Sequence, residues 1–199
     1  MGVAIRAADE GDRELVVRLL DEAFQDDPVS SWIFPGEEHR RTTHHRLMAA
    51  FTDTVLAEGR IDVTEDGTAC ALWLSMPAAG QSQEEDGDEE AVRLREAVDP
   101  SNERVERIVR LLAGSHPVDR AHEYLWMIGV APRHQGGGLG AALIRHVLDR
   151  CDRERLPAYL DASSARSVRL YERLGFASTG RTLDLPDGPK MWPMWREPR

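Results

Sequence analysis

Four glycines within five positions open a helical segment in the second half of the chain. The sequence Gln-Gly-Gly-Gly-Leu-Gly occupies residues 135–140, after an apolar stretch typical of a strand at 123–130 and at the start of a periodic helix at 139–151. Glycines let the backbone approach a ligand closely. The free N–H groups and positive dipole end at the start of a helix suit a phosphate or pyrophosphate. The segment therefore predicts a phosphate-binding loop.

Three other interpretations of the loop fit the sequence less well. A P-loop is excluded, because no Lys-Ser or Lys-Thr pair follows the glycines. A dinucleotide fingerprint fits better, since Gly136, Gly138 and Ala141 satisfy G-x-G-x-x-A, and Asp161 stands about 20 residues beyond. Against it, five residues separate Val130 from the first glycine, and the roughly 60 residues that follow are too few for the rest of a doubly wound sheet. A purely structural turn does not explain so many glycines at a helix start.

Composition indicates a soluble globular protein. Hydrophobic residues make up 41% of the 199 residues and charged residues 30%, and we expect a single domain over 1–199. No apolar run approaches the roughly 20 residues of a membrane-spanning helix, and the N-terminus lacks the pattern of a signal peptide. We therefore expect a cytoplasmic protein without a membrane partner.

Charge and cysteine usage exclude two further classes of site. With 35 acidic and 25 basic residues the net charge is −10, which argues against a nucleic-acid partner and mildly favours a cationic substrate. Cys70 and Cys151 lie far apart, without a CxxC pair or a nearby histidine at metal spacing. We expect two free thiols and no metal site.

Periodicity and turn residues predict alternating helices and strands. The predicted order is strand 3–7, helix 15–24, loop 25–36, helix 37–56, hairpin strands 60–64 and 69–76, acidic loop 81–90, a helix over 90–113 interrupted at 99–100, strand 123–130, helix 139–151, strand 158–162, helix 167–174 ended by Gly175, and a final antiparallel pair over 176–185 and 190–196. This order predicts a mixed α/β sheet.

Two segments resemble the GNAT superfamily of N-acetyltransferases. Residues 128–140 are similar to its acetyl-CoA motif, Q/R-x-x-G-x-G/A after a strand ending in Val and Pro, and Gln135, Gly138 and Gly140 fit that pattern. Residues 170–176, Leu-Tyr-Glu-Arg-Leu-Gly-Phe, resemble the second box, a short helix that carries a Tyr and is closed by Gly-Phe. Within the superfamily, residues 160–163, 171–176 and 185–192 look closest to puromycin N-acetyltransferase-like actinobacterial enzymes.

The resemblance implies a fold and an activity. The expected fold is a mixed, mostly antiparallel twisted sheet of about seven strands with flanking helices. The expected reaction is direct transfer from acetyl-CoA to a primary amine of a small molecule, such as an amine-bearing antibiotic, which would make this a resistance enzyme. A protein N-terminus or lysine is an alternative acceptor, and a non-catalytic acyl-CoA sensor is the alternative from another class. A homodimer is possible by resemblance alone.

The resemblance also assigns the cofactor site. The backbone of Ile128, Gly129 and Val130 would pair with the pantetheine arm, which requires this strand to diverge from its neighbour. Ser167 stands where closer relatives often have Asn, and would donate one hydrogen bond to the arm. The pyrophosphate would be held by Gln135, Gly136, Gly137, Gly138, Leu139, Gly140 and Ala141.

Catalysis by direct transfer needs an acid and a base. Tyr171 stands at the position of the family's general acid, and a phenol is protonated at neutral pH; its alternative is a core aromatic. Tyr124 and Trp126 occupy the positions where many relatives have a basic Glu or His. Because strand side chains alternate, His122 shares their face and is the predicted base, the alternative being a histidine at a strand start.

Aromatic residues supply the predicted acceptor pocket. Trp32, Phe34, Tyr124 and Trp126 would form flat apolar walls for a ring-bearing amine. For Trp32 and Phe34, which lie in the predicted loop 25–36, packing into the core is an equal alternative.

Overall fold

The structure, a computed structural model, describes residues 2–78 and 84–199, with the side chains of 84–87 outside the description. The strands are β1 (Ile5–Ala7), β2 (Arg60–Thr64), β3 (Ala69–Met76), β4 (His122–Val130), β5 (Ala158–Ala162), β6 (Ala177–Ser178), β7 (Leu183–Asp184) and β8 (Lys190–Arg196). The helices are α1 (Arg13–Phe24), α2 (Pro28–Ile33), α3 (Glu37–Glu58), α4 (Glu84–Val98), α5 (Glu103–Ser115), α6 (Leu139–Glu154) and α7 (Ala165–Arg173).

Within the described residues, one sheet of eight strands has the order β1-β2-β3-β4-β5-β8-β6, with β7 also paired to β8. Every pairing is antiparallel except that of β4 with β5, which is parallel. The expected mixed, mostly antiparallel sheet is confirmed. The strand count exceeds the predicted seven because the segment before β8 forms two short strands, β6 and β7.

Apolar side chains alternate along the strands and supply a core on each face of the sheet. On β3, Cys70 and Leu72 pack with α1, α2, α3 and α5 on one face. Ala71 and Trp73 point to the other face and pack with α6 and α7. The helices thus divide into two layers, with the sheet between them.

Two irregularities open the centre of the sheet. The register of β3 with β4 shifts between Leu72 and Trp73, which pair with Met127 and Leu125, so that Trp126 is an extra residue on β4. The parallel pairing of β4 with β5 runs from Glu123 to Leu125, and residues 126–130 of β4 lie past its last pair. The divergence that the sequence required of this strand is therefore present.

The segment 25–36, predicted as a loop, contains the short helix α2, so that prediction is wrong. Asp27 accepts hydrogen bonds from the backbone N–H of Val29 (2.8 Å) and Ser30 (3.4 Å), and Pro28 takes the first helical position. Asp-Pro is a turn signal, but it is also a helix N-terminus, where a side-chain cap and a fixed φ both favour helix. The prediction of a loop did not consider Asp27 as the N-cap of a helix.

The acidic segment 81–90 is also wrongly predicted as a loop in its described part. Residues 84–90 begin α4, while 81–83 lie outside the described residues. Acidic side chains stabilise the N-terminal turns of a helix through its dipole, and Glu89 pairs with Arg93 one turn later. The predicted interruption at 99–100 separates α4 from α5, where Asn102 caps the second helix.

Both cysteines are free, as expected, and the structure places both in the interior. Burial raises the pKa of the Cys70 thiol to about 12 and that of Cys151 to about 11. Neither thiol is therefore activated as a nucleophile. In the described ranges, no helix combines the length and apolar character needed to cross a membrane.

Candidate active site

A cavity lies where β4 and β5 diverge, beneath α1, α2, α3 and α5. Its lining has two distinct parts. The polar lining residues are Asp27, Ser30, Tyr124, Asp161, Ser163 and Tyr171. The apolar lining residues are Phe24, Val29, Ile33, Leu47, Met48, Phe51, Ile108, Leu112, Leu125, Trp126, Met127, Ile128, Leu160 and Met191. The structure thus brings Tyr124, Trp126, Ile128 and Tyr171 of the predicted site into one cavity.

Tyr171 is held at the cavity by the geometry of α7. Ser164 caps the start of the helix, and Gly175, at φ +94°, ends it so that the N–H of Phe176 returns to the carbonyl of Tyr171. Tyr171 is only 7% exposed. Among the described residues its hydroxyl has no hydrogen-bond partner. Burial and the nearby Asp27 raise the pKa of Tyr171 well above its usual value, so the phenol holds its proton at neutral pH.

Asp161, on β5, is a functional candidate that the sequence considered only as a ribose-binding acid. Its two carboxylate oxygens accept hydrogen bonds from the hydroxyls of Tyr159 (2.7 Å) and Tyr124 (3.3 Å). Burial raises the pKa of Asp161 from 3.8 to about 6, although both tyrosine hydrogen bonds oppose that shift. A carboxyl group in the middle of an apolar strand was the signal in the sequence that pointed to it.

Asp27 supplies a second carboxylate to the cavity. Besides capping α2, it accepts a hydrogen bond from the hydroxyl of Ser163, which follows β5. Burial raises the pKa of Asp27 despite these hydrogen bonds. The cap of α2 and the end of β5 are thereby tied together at the cavity wall.

A buried hydrogen-bonded chain lies behind the cavity wall. The hydroxyl of Ser30 is 3.0 Å from Nε2 of His44, and Nδ1 of the same ring is 2.7 Å from a carboxylate oxygen of Asp21. Ser30 lines the cavity, while His44 is fully buried. Sequence reasoning missed this chain because its members come from three helices, α1, α2 and α3.

His122 lies outside the cavity lining. Its Nδ1 is 2.7 Å from the carbonyl of Arg120, its Nε2 is 3.0 Å from Nε2 of His116, and its ring packs against Trp195. Burial lowers the pKa of His122. With both ring nitrogens engaged and only 2% of the residue exposed, the geometry disfavours the predicted base.

Trp32 and Phe34 also lie away from the cavity lining. The indole N–H of Trp32 donates to the carbonyl of Pro186 (2.9 Å), and Arg104 stacks over its ring. Phe34 is fully buried, edge-on to His44. Their surroundings correspond to the alternative of core packing, whereas Tyr124 and Trp126 do line the cavity.

The glycine loop adjoins the open end of β4. Gly136 and Gly138 have φ of +81° and +86°, and no atom lies within 4 Å of the point where a Cβ would stand on either. Gly138 precedes α6, whose first N–H groups have no partner within the helix. This open surface of backbone donors fits a pyrophosphate.

Close packing joins the loop to β4. A Cβ on Gly140 would stand 3.6 Å from Ile128 and 3.7 Å from Val130, so the start of α6 lies directly against the end of the strand. The side-chain amide of Gln135 donates to the carbonyl of Val130 (3.2 Å). The two predicted cofactor segments, 128–130 and 135–141, therefore lie side by side.

Ser167 has a local role that the resemblance did not predict. Its hydroxyl donates to the carbonyl of Ser164 (2.8 Å), and its backbone N–H donates to the side-chain hydroxyl oxygen of Ser164, which caps the helix. Ser167 thus takes part in the cap of α7, and a contact to the cofactor arm stays a prediction.

Comparison with known proteins agrees with this geometry. Residues 106–176 match the Acetyltransferase (GNAT) family. The fold is that of the GNAT acetyltransferases, as expected. Both matches agree with the expected enzyme class, an N-acetyltransferase that uses acetyl-CoA. Individual residue roles stay predictions.

The curated relatives match only part of the chain. A mycothiol acetyltransferase of Salinispora arenicola is 44% identical over 57 residues, which is 27% of this chain and 19% of the relative. The chain thus spans about a fifth of the length of the curated relatives that it matches. The likeness to puromycin N-acetyltransferase in particular stays a prediction.

Two solved structures match over the whole chain. A crystal structure described as histone acetyltransferase HPA2 and related acetyltransferase, from Corynebacterium glutamicum, has a TM-score of 0.74 at 26% identity and covers 100% of this chain and 98% of that one. Arylalkylamine N-acetyltransferase 2 from Aedes aegypti has a TM-score of 0.75 at 18% identity, with 100% of both chains covered. At that identity the second match supports the fold alone.

Proposed function

We propose that this protein transfers the acetyl group of acetyl-CoA directly to a primary amine of a small molecule. The observation that carries the proposal is the cavity in which Tyr171 and Asp161 face the point where β4 and β5 diverge. A buried hydroxyl and a carboxylate are the two proton-handling groups that such a transfer requires.

The donor side is formed by the end of β4 and the start of α6. Acetyl-CoA, when bound, supplies an acetyl group activated as a thioester. The backbone of Ile128 to Val130 would bind its pantetheine arm, because that part of β4 lies past the pairing with β5. The N–H groups from Gly136 to Ala141 would bind its pyrophosphate, helped by the helix dipole.

Tyr171 would act as the proton donor to the leaving sulfur. Its hydroxyl is protonated at neutral pH, faces the cavity and has no competing hydrogen bond among the described residues. Sulfur would take the phenol proton as the bond from carbon to sulfur breaks, and the phenolate would regain a proton from solvent.

Asp161 replaces His122 as our candidate for the base. An amine is cationic at neutral pH and becomes a nucleophile only after it loses a proton. A carboxylate with a pKa near 6 is ionised at pH 7.5 and, placed in the cavity, can accept that proton. Asp161 would take one proton of the ammonium group before attack. As the bond from nitrogen to carbon forms and the bond from carbon to sulfur breaks, the nitrogen would lose its second proton to solvent, which leaves a neutral amide.

The acceptor is tested with a panel of amines. We would measure thiol release from acetyl-CoA with alkylamines, arylalkylamines, puromycin, glucosamine and a peptide with a free N-terminus. Glucosamine represents the amino-sugar class suggested by the mycothiol relatives, and the peptide tests the alternative of a protein acceptor. We expect turnover with at least one small amine.

A binding measurement separates the enzyme from a sensor. At 100 times its dissociation constant acetyl-CoA should stabilise the fold by roughly 2.7 kcal/mol, with NADH giving no shift. Stabilisation by acetyl-CoA without turnover of any amine would contradict the proposal and favour an acyl-CoA sensor. Stabilisation by neither ligand would contradict both.

A further inference from the structure

At the polar end of the cavity, the two aspartate carboxylates accept every hydrogen bond described next. The hydroxyls of Tyr124 and Tyr159 donate to Asp161, and the hydroxyl of Ser163 donates to Asp27. The backbone N–H groups of Val29 and Ser30 are donated to Asp27 as well. These donors are therefore already used, and the carboxylates retain unshared lone pairs.

The chain behind Ser30 extends the same pattern. A carboxylate only accepts, so the contact of Asp21 with Nδ1 places the ring proton of His44 on that nitrogen. In a neutral imidazole Nε2 is then an acceptor, and the Ser30 hydroxyl donates to it. With its proton donated to Nε2, the Ser30 hydroxyl keeps oxygen lone pairs that can accept a hydrogen bond from a group in the cavity that it lines.

We propose, building on the proposed function, that the acceptor is a monoamine on an apolar body, with its ammonium group at Asp27, Asp161 and Ser30. A primary ammonium has three N–H donors and no acceptor, which complements a site whose free valences are acceptors. The hydroxyl of Tyr171, a residue that lines the cavity and is only 7% exposed, is the remaining donor, and in the proposed reaction it serves the sulfur.

The rest of the cavity selects the body of the substrate. Phe51 and Trp126 pack with ring centroids 4.6 Å apart, and Leu47, Met48 and Ile33 continue the wall. Of the described residues that line the cavity, Asp27 and Asp161 alone are charged. A second ammonium or a ring of hydroxyls would therefore be desolvated against apolar side chains without partners, which is costly.

A matched pair of substrates tests this selectivity. Hexylamine and 1,6-diaminohexane share a chain length and differ by one ammonium group. We expect kcat/KM for hexylamine and 2-phenylethylamine to exceed that for 1,6-diaminohexane and for glucosamine by at least about tenfold, since an unpaired buried polar group costs more than one tenfold step.

A matched pair of variants tests the ammonium site. Asp27→Asn keeps an oxygen to cap α2 but adds N–H donors to the cavity, so the KM for hexylamine should rise at least about tenfold while the KM for acetyl-CoA stays within about twofold. Asp26→Asn, at an exposed neighbour, should leave both KM values unchanged. Thermal unfolding of both variants checks that the fold is retained.

The outcomes separate this inference from the proposed function. If no amine is turned over, the proposed function fails. If amines are turned over but glucosamine or 1,6-diaminohexane equals or surpasses hexylamine, the function stands and the inference is overturned. An unchanged hexylamine KM in Asp27→Asn would overturn the assignment of the ammonium site.

Discussion

At the scale of single residues, the surroundings of Tyr171 and Asp161 suit the two opposite proton transfers of the proposed reaction. Burial favours the neutral form of both groups. For the phenol this secures the proton that an acid must give. For the carboxyl group it raises the pKa to about 6, which still leaves an anion at neutral pH but makes it a better proton acceptor than an exposed aspartate.

Tyr171→Phe tests the proton donor. Because the variant removes only an unpartnered hydroxyl, we expect the fold and the KM for acetyl-CoA to persist while kcat falls by about 10² or more, the usual contribution of a general acid. Steady-state thiol release with a good acceptor amine provides the measurement. Full activity in this variant would show that the sulfur obtains its proton elsewhere.

Asp161 also carries a pH-dependent cost in stability. Its folded pKa of about 6 lies above the 3.8 of an unfolded aspartate, so it favours folding below pH 3.8 and loses that contribution as the pH rises through 6. The loss amounts to about 3 kcal/mol at neutral pH. Asp161→Asn should therefore unfold at a higher temperature than the natural protein at pH 8, with a smaller difference at pH 4.5.

Thermal unfolding at the two pH values provides this measurement. The same variant should lose most of its acetyl transfer, which would separate a stability gain from a loss of function. A melting difference that does not change between pH 8 and pH 4.5 would mean that Asp161 titrates normally.

At the scale of elements, the sequence predicted most accurately the strands and helices near the glycine loop. Periodicity and glycine placement located β2, β3 and β5 at their observed bounds and β4, α6 and α7 within a few residues. Those signals are local, since they depend on side-chain alternation and on backbone conformations that only glycine adopts easily.

What the sequence did not predict depends on contacts between distant segments. The carboxylates Asp27 and Asp161 are 134 positions apart in the chain and line the same cavity, where Ser163, which follows β5, donates a hydrogen bond to Asp27 at the start of α2. The prediction of His122 as the base depended on the alternation of strand side chains. Alternation indicates which face of β4 the side chain occupies, but not which neighbouring side chains cover it. Its burial under His116 and Trp195 follows from tertiary packing.

Gly138→Ala tests the loop, with Gly180→Ala as its matched control. Both glycines have positive φ, +86° and +82°, and open space at the Cβ position, so both variants suffer similar backbone strain of about 1 kcal/mol. Only Gly138 lies at the start of α6. We expect Gly138→Ala to raise the KM for acetyl-CoA several-fold and Gly180→Ala to leave it unchanged, as measured by initial rates at saturating amine.

An equal effect of both substitutions on the KM for acetyl-CoA would contradict this assignment. The loss would then arise from general strain, and the loop would have no special contact with the cofactor.

At the scale of the whole molecule, an ion pair between a buried arginine and a half-buried aspartate joins the last strand to both helices of one layer. Arg196 on β8 makes two contacts of 2.8 Å to Asp152 on α6, and its Nε donates to the carbonyl of Leu174 after α7. Arg196 is 4% exposed. The pair holds the second layer of helices against the sheet, away from the cavity lining.

Arg196→Met should therefore lower the free energy of unfolding and leave the activity per folded molecule unchanged. The substitution removes the charged partner of Asp152, which still accepts from the backbone N–H of Arg199 (2.8 Å), and it removes the donor to the Leu174 carbonyl. We expect a loss of about 2 to 3 kcal/mol, because Asp152 remains partly solvated. Urea unfolding gives the free energy. Arg120→Met breaks the exposed pair with Glu197 and should have a much smaller effect. Activity per folded molecule should be unchanged in both, and comparable losses in the two variants would show that burial of Arg196 adds nothing.

The two sides of the cavity come from different parts of the chain. The family match, residues 106–176, contains the glycine loop, both diverging strands and Tyr171, whereas α1, α2 and α3 lie before it and supply Asp27, Ser30 and much of the apolar wall. Substitutions in the first third of the chain can therefore reshape the proposed amine side of the cavity without touching the backbone proposed to face the thioester. If the proposed function holds, selection or a protein engineer can change the acceptor amine and keep the delivery of the acetyl group.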